Sequence, residues 1–348
     1  MRAWRVHDFG EPRDVVVLDE VPEPTAADLD GMAMDLAGWV PLTEGRAPFT
    51  DWVLLEMTVA ALGLPDVTTA RGTYPVPVNR PYVVGQEGVG VVVGAAAERA
   101  GLLGKRVAAV TMQPFGSLAP VAVGISTIFE VPDGMSDQDA AGFLIPAHTG
   151  YHAAIRRGKV EAGETVVVLG AAGGLGAAIV QLCVAQGARV VAVVGGPEKV
   201  AFAESLGAEA VDHQAGDFVA AVRALVGGGV DAILDPVQGE SGARARALLA
   251  PDGRHVVCGH AGGLVPHDPH FYLYNHTLVG ATLGGYPRPE MQRMHSATDA
   301  ALVQLLAEGR YRPTVTRCVP FADVPIALTD LAERRTTGRV VVDLAGAR

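Results

Sequence analysis

Nearly continuous apolar runs alternate with amphipathic stretches from Glu164 onward. The run VVVLG precedes GLGAAIVQLCVAQG, RVVAVV precedes PEKVAFAESLG, and VDAILDPV and RHVVCG continue the alternation. In the first amphipathic stretch, Leu175, Ile179, Leu182 and Cys183 recur at helical spacing and form one apolar face. Apolar strands separated by helices predict a parallel sheet covered on both faces, and therefore a doubly wound α/β domain over residues 147–284.

Short β-like runs broken by glycine and proline make up the first part of the chain. They lie at Val15–Leu18, Val53–Val59, Val89–Val93 and Arg106–Thr111, which is the pattern of an irregular, mostly antiparallel β domain. The tail has one helix-like segment, Thr298–Glu308, and ends in the strand RVVVDL. We expect the tail to return to the first domain, which would then comprise residues 1–146 and 285–348.

Residues 25–49 interrupt this pattern where a short turn between two strands is expected. Their Met and Leu spacing is compatible with a short amphipathic helix. We interpret the segment as a surface insertion, and a lid or a dimer contact is the alternative.

Composition narrows the class of protein. The 348 residues are 49% hydrophobic and carry a formal net charge of -11 without a dense run of Lys or Arg, so we expect neither nucleic acid nor a membrane surface as a partner. The three cysteines are far apart and odd in number, which argues against a disulfide framework. Because no apolar run approaches the roughly 20 residues of a membrane span and the N-terminus has no signal core, we expect a cytoplasmic protein.

A glycine-rich turn follows the first apolar run of the α/β domain. The sequence Ala171-x-Gly173-x-x-Gly176 stands between a predicted strand and a predicted helix, as the dinucleotide-binding mechanism requires. Gly173 and Gly174 would let the backbone approach a pyrophosphate at the helix N-terminus, and Gly176 would let the helix pack on the strand. We therefore predict that Ala171, Ala172, Gly173, Gly174, Leu175 and Gly176 bind the cofactor.

The tip of the second strand indicates which dinucleotide is bound. An NAD site requires an acid there to hold the ribose hydroxyls, whereas this strand ends in Gly195-Gly196-Pro197-Glu198-Lys199. The two glycines leave room and Lys199 follows in the first turn of the next helix, an arrangement that fits a 2′-phosphate. We predict NADPH as the cofactor, with Glu198 facing solvent.

Taken together, these features resemble the medium-chain dehydrogenase/reductase superfamily, in its zinc-independent NADPH:quinone oxidoreductase-like branch. The resemblance covers nearly the whole chain through MRAWRVHDFGEP, GLPDVTTARGTYP, PYVVGQEGVGVV, VPDGMSDQDAAGFLIPAHTGYHA, LGAAGGLGAAIVQL, DPVQGE and ERRTTGRVVVDL. It implies a Rossmann cofactor domain and a mostly β, GroES-like catalytic domain. It also implies cofactor contacts from Gly259 and His260 at a strand end, and from Arg334 beside the 2′-phosphate.

The resemblance also bears on metal binding. Zinc alcohol dehydrogenases of this fold carry a Cys three residues before the position of Asp66, a His at the position of Gln86, and a third ligand near Ile145. The first of these positions is Gly63 here. A catalytic zinc needs three protein ligands, so we expect no metal.

Hydride transfer without a metal suits a quinone or an α,β-unsaturated carbonyl, because charge can develop on a remote oxygen. We expect such a small electrophilic substrate, with Tyr74 as a proton donor, Gln86 as a donor to the substrate carbonyl, and Thr149 beside the nicotinamide. Tyr74 stands in a Gly-x-Tyr-Pro stretch that resembles 2-enoyl thioester reductases, which leaves a 2-enoyl-thioester or other specialised ene reductase as one alternative. A non-catalytic NADPH-binding protein is another. The apolar strand at 277–283 predicts a homodimer.

Overall fold

The computed structural model describes residues 1–29, 51–75, 78–111, 113–264 and 273–348, together with the backbone of 33–34 and 47–48 and without the side chain of Arg288. Within it, the chain forms two compact units. Unit 1 comprises residues 1–145, 284–295 and 313–348, and unit 2 comprises residues 146–283 and 296–312. The segment 296–312 thus belongs with unit 2, whereas the sequence pattern assigned all of 285–348 to the first domain.

Unit 1 is built on β-strands, as its short runs interrupted by glycine and proline predicted. In chain order they are β1 (Arg2–Val6), β2 (Val16–Glu20), β3 (Ala33–Met34), β4 (Ala47–Pro48), β5 (Trp52–Leu62), β6 (Tyr82–Val83), β7 (Glu87–Ala95), β8 (Arg106–Thr111) and β9 (Val121–Glu130). Two further strands, β16 (Val315–Pro320) and β17 (Arg339–Asp343), follow unit 2 in the chain.

The main sheet of unit 1 has the order β16-β17-β5-β7-β8-β9, and β5 also pairs with β9. The antiparallel strands β5, β7, β8 and β9 therefore close on themselves around a core that includes Leu55, Leu62 and Leu118. Strand β17 pairs antiparallel with β5, with Val340 opposite Leu62. This pairing returns the tail to the first unit, as the pattern predicted.

Unit 2 contains a six-stranded parallel sheet. Its strands are β10 (Thr165–Leu169), β11 (Arg189–Val194), β12 (Glu209–Asp212), β13 (Val230–Asp235), β14 (Leu249–Val257) and β15 (Thr277–Gly280), and their order is β12-β11-β10-β13-β14-β15. The strand order reverses between β10 and β13, which creates the switch point where doubly wound sheets bind ligands. The predicted combination of a Rossmann-type sheet and a separate, mostly β domain is confirmed.

Ten α-helices are assigned among the described residues. They are α1 (Pro12–Val15), α2 (Ala26–Leu29), α3 (Leu64–Ala70), α4 (Asp137–Tyr151), α5 (Gly174–Gln186), α6 (Pro197–Glu204), α7 (Phe218–Val226), α8 (Gly239–Ala245), α9 (Arg288–Ala307) and α10 (Val324–Ala332). Helix α4 continues into a π-helical turn, His152–Arg157. In the part of the chain that the structure describes, no helix is both long and apolar enough to cross a membrane.

Of three further sequence expectations, one falls mostly outside the described residues. Most of the insertion predicted at 25–49 lies outside them, although α2 occupies its beginning. The predicted strand at 277–283 is shorter than expected and ends at Gly280, whereas the predicted helix Thr298–Glu308 is the second half of the longer α9.

Candidate functional site

The glycine turn joins β10 to α5 at the switch point of the parallel sheet. Gly170 has a φ of +58°, the Gly173 N–H donates to the Gly170 carbonyl at 3.0 Å, and Gly173 precedes the first residue of α5. A Cβ added to Gly176 would lie 2.2 Å from the Gly170 oxygen, so a side chain there would force the helix away from the turn. The tight packing brings the free N–H groups of the α5 N-terminus to the sheet edge, where they can bind a pyrophosphate.

The loop after β13 forms a second wall of the same crevice. A Cβ on Gly170 would lie 2.9 Å from Cγ2 of Val237, so this loop touches the glycine turn directly. The loop after β14 packs on it in turn, because a Cβ on Gly259 would lie 2.5 Å from the Pro236 oxygen. Gly259 and the adjacent His260 thus follow β14 at the carboxyl edge of the sheet.

An acidic residue lies at the tip of β11 after all, and it comes from the neighbouring strand. Val194 and Asp212 are partners in the parallel register of β11 and β12. Asp212 Oδ1 accepts hydrogen bonds from the Gly196 N–H at 2.9 Å and from the Gln214 N–H at 2.8 Å, and these donors lower the pKa of the carboxyl. The end of β11 itself contains no acid, and strand pairing brings Asp212 to it from β12.

The side chains after Asp212 also face this tip. A Cβ on Gly195 would lie 2.8 Å from His213 Nε2 and 3.0 Å from Gln214 Nε2, so these polar side chains occupy the space that the glycine leaves open. Glu198 is exposed, as predicted, and Lys199 is half-buried in the first turn of α6. The ribose end of the predicted crevice therefore has both an acidic and a basic residue, Asp212 and Lys199.

Unit 1 contains a buried cluster of two carboxylates and one guanidinium. Glu87 Oε2 accepts from the Ile145 N–H at 2.7 Å, and Glu87 Oε1 accepts from Nη2 of Arg339. Asp66 Oδ2 accepts from the Gly63 N–H at 2.7 Å, whereas its Oδ1 has no hydrogen-bond partner among the described residues. Burial raises the pKa of Asp66 to about 7, although the Gly63 N–H and Arg339 oppose the shift.

Comparisons with known proteins identify the family. Residues 174–300 match the family described as zinc-binding dehydrogenase. The quinone oxidoreductase-like protein 2 of Rattus norvegicus is 30% identical over 299 residues, which cover 84% of this chain and 85% of the relative. The chain belongs to the medium-chain dehydrogenase/reductase superfamily, in its quinone oxidoreductase-like branch. It is accordingly an oxidoreductase.

Two further similar proteins differ in how much of their own length this chain covers. The quinone oxidoreductase of Thermus thermophilus, solved also in complex with NADPH, is 30% identical with a TM-score of 0.77, covering 99% of this chain and 100% of that one. A phenolphthiocerol/phthiocerol polyketide synthase of Mycobacterium tuberculosis is 33% identical over 216 residues, which are 61% of this chain but 10% of that protein.

The positions that carry zinc ligands in other superfamily members are occupied differently here. A Cβ on Gly63 would lie 3.4 Å from Nη1 of Arg339, so a guanidinium is adjacent to this position. Gln86 contacts Thr69 Oγ1 through Nε2 at 3.4 Å. Among the described residues no group of three or more His, Cys, Asp or Glu side chains is placed to hold a metal ion. The residues matched to the zinc-binding dehydrogenase family begin at 174, beyond these positions.

The remaining predicted site residues are divided between the units. Tyr74 is in unit 1, and burial, followed by the charge of Asp66, raises the pKa of its phenol. Thr149 is half-buried on α4 in unit 2. Arg334 is exposed in unit 1 with a φ of +61°, and Lys199 is in unit 2. The roles of these residues stay predictions.

Proposed function

We propose that the chain is an NADPH-dependent, zinc-independent reductase that transfers hydride to a quinone or to the β-carbon of an α,β-unsaturated carbonyl. The observation that carries the proposal is the glycine turn, which opens α5 at the switch point of the β12-β11-β10-β13-β14-β15 sheet. The cradle fits a pyrophosphate, because Gly176 packs against Gly170 where any side chain would collide.

The proposed preference for NADPH rests on the balance of charge at the tip of β11. Lys199 and His213 offer donors for a 2′-phosphate. The carboxylate of Asp212 opposes the phosphate, but its Oδ1 is already engaged by two backbone N–H groups. We propose that the lysine decides the preference.

On the acceptor side, this chain's residues supply a proton and a hydrogen bond. When bound, NADPH supplies the hydride. The Tyr74 phenol is protonated at neutral pH, since its pKa is raised above an ordinary value that is already well above 7. It therefore has a proton to give to an enolate or to a reduced quinone oxygen. The Gln86 amide makes a long contact with Thr69, at 3.4 Å, and is suited to donate to the acceptor carbonyl.

A paired binding and turnover experiment tests this function. NADPH and NADH binding are measured by cofactor fluorescence, and NADPH oxidation is followed with a quinone and with an enone. We expect NADPH to bind more tightly than NADH and at least one acceptor to be reduced, with a lower rate in Tyr74→Phe. Tight NADPH binding with no turnover of any acceptor would instead point to a non-catalytic NADPH-binding protein, and preference for NADH would contradict the assignment of the β11 tip.

A second candidate is reduction of a 2-enoyl thioester. Two observations favour it: the similarity to part of a polyketide synthase and the Gly72-Thr73-Tyr74-Pro75 stretch that resembles 2-enoyl thioester reductases. Including a short enoyl thioester among the acceptors separates the candidates, because a kcat/KM far above those for the quinone and the enone would select it.

We also propose a homodimer formed through the edge of the parallel sheet. Strand β15 is the last in the sheet order, and its Leu278 is 53% exposed. An apolar side chain on an unpaired strand edge favours pairing with a second copy across a two-fold axis.

A further inference from the structure

Gln238 has a backbone conformation that side chains rarely adopt. It follows β13 by way of Pro236 and Val237, and its φ of 54° and ψ of −139° lie close to a region that only glycine occupies readily. Such strain persists only where the surroundings enforce it, and it is found mostly at functional sites.

A buried chain of hydrogen bonds enforces the conformation. Asp235 Oδ1 accepts from the Val237 N–H at 2.8 Å and from the Gln238 N–H at 2.6 Å, and Asp235 Oδ2 accepts from His255 Nε2 at 2.7 Å. Neither Asp235 nor His255 is exposed at all. Since Arg246 Nε can only donate, its 3.3 Å contact makes His255 Nδ1 an acceptor and leaves the ring proton on Nε2, facing the carboxylate.

The Gln238 side chain then ties two loops together. Its Nε2 donates to the Gly259 carbonyl at 2.6 Å. Two backbone bonds run beside it, from the Gly262 N–H to the Val237 oxygen at 2.7 Å and from the Gly239 N–H to the Gly263 oxygen at 3.1 Å. The loops after β13 and β14 thus form one continuous wall, and that wall touches Gly170 in the glycine turn through Val237.

We propose that Gln238 is a positioning residue for the nicotinamide dinucleotide, and that its amide fixes the Gly259 backbone as the wall of the crevice on the side away from the adenosine. The proposal rests on the proposed function. The adenosine side is assigned to the tip of β11, on the far side of the glycine turn from β13. A fixed wall lowers the ordering cost of binding, because the loops are already in the bound arrangement.

Two variants separate the strain from the side-chain hydrogen bond. Gln238→Ala loses the amide and keeps the strained backbone, whereas Gln238→Gly loses the amide and releases the strain. Without cofactor, we expect the glycine variant to have the higher thermal midpoint, the reverse of the usual order of alanine and glycine. We expect both variants to bind NADPH about three- to tenfold more weakly than wild type in calorimetric titration, as loss of one hydrogen bond predicts.

Two further variants serve as controls, and each contrary outcome has its own meaning. Gln238→Met keeps the length of the side chain, removes the donor and should weaken binding as alanine does, whereas Gln186→Ala, at the exposed end of α5, should change neither quantity. Wild-type affinity for NADPH in the glycine variant would overturn the proposal. It would show that the shape of the loop backbone is enough for binding and that the Gln238 amide is not needed. If wild type binds neither NADPH nor NADH, the proposed function fails and the positioning role fails with it; if wild type binds and all Gln238 variants bind equally well, only the positioning role fails.

Discussion

Asp66 is a buried carboxylic acid of unit 1, with 2% of its surface exposed. Its carboxyl is buried, receives one firm hydrogen bond from Gly63, and shares the single guanidinium of Arg339 with Glu87. The Gly85 N–H also favours the charged form, but it does not reach hydrogen-bonding geometry with Oδ1. Two carboxylates beside one buried guanidinium leave one uncompensated charge, which protonation of Asp66 removes.

Stability should therefore fall as pH rises through the range in which Asp66 ionises. Its pKa is about 7 in the folded chain and 3.8 ordinarily, so between these values the folded state binds more protons than the unfolded state. In Asp66→Asn no charge is buried, so we expect the thermal midpoint of this variant, relative to that of wild type, to rise from about pH 4 to about pH 7 and to change little above that.

Calorimetric scans across that range check the expectation, with the exposed Asp133→Asn as control. Tyr74 and Tyr82 also face Asp66, but the pKa of each phenol is raised, so neither ionises in this range. A midpoint difference between Asp66→Asn and wild type that does not grow with pH would show that Asp66 is ionised throughout.

The predicted preference for NADPH over NADH depends on Lys199. Lys199→Ala should weaken NADPH binding about tenfold, the effect of one charge-assisted hydrogen bond to a phosphate, and leave NADH binding within about twofold. Asp212→Asn should shift the preference the other way, since it removes a negative charge from the β11 tip. Dissociation constants for both cofactors, measured at one fixed ionic strength, test the pair; equal losses for NADPH and NADH in Lys199→Ala would contradict it.

At the scale of elements, the close contact between α5 and the glycine turn depends on one missing methyl group. A Cβ at Gly176 would lie 2.2 Å from the Gly170 oxygen and 2.7 Å from the Ala171 Cα, both backbone atoms that cannot rotate aside. Gly176→Ala should therefore cost about 1–3 kcal/mol of stability, as overpacking does, and displace the N–H groups that receive the pyrophosphate.

Gly228 provides the matched control for this substitution. A Cβ there would meet nothing within 4 Å, so Gly228→Ala should be neutral or stabilise by up to about 1 kcal/mol through the unfolded state. Chemical denaturation and NADPH titration of the two variants give the comparison. Wild-type stability in Gly176→Ala would mean that α5 adjusts without cost.

The elements that local patterns encode could be predicted from the sequence. Apolar runs between helices predicted the parallel sheet, and the glycine spacing predicted the turn at 171–176. Asp212 was missed because it is placed beside Gly196 by strand pairing, sixteen residues away in the chain. Following the parallel register from Val194 to Asp212 would have found it.

Two other features also gave no local signal in the sequence. Arg339 and Glu87 are 252 residues apart and meet only because β17 joins the sheet of β5 and β7. The positive φ of Gln238 had no local signal, since glutamine does not favour that conformation and the buried Asp235 imposes it.

At the scale of the whole molecule, the proposed dimer predicts a particular mass in solution. Light scattering should give twice the 36.0 kDa mass of the chain. Leu278→Lys places a charge on the exposed edge of β15 and should yield monomers, as charged edge residues block strand pairing. Ile326→Lys, at another exposed apolar side chain on α10, should leave the dimer intact. A monomeric wild type would refute the dimer.

The late arrival of β17 has a consequence for how the chain folds as it is synthesised. The strands of unit 2 follow one another without interruption, so its sheet can assemble as soon as they leave the ribosome. The sheet of unit 1 begins to emerge earlier, yet β5 lacks its partner β17, and Glu87 must wait for an arginine 252 residues further along the chain. The unit that begins to be made first is therefore finished last, and until β17 arrives the unpaired part of β5 is an open strand edge, a feature that favours aggregation.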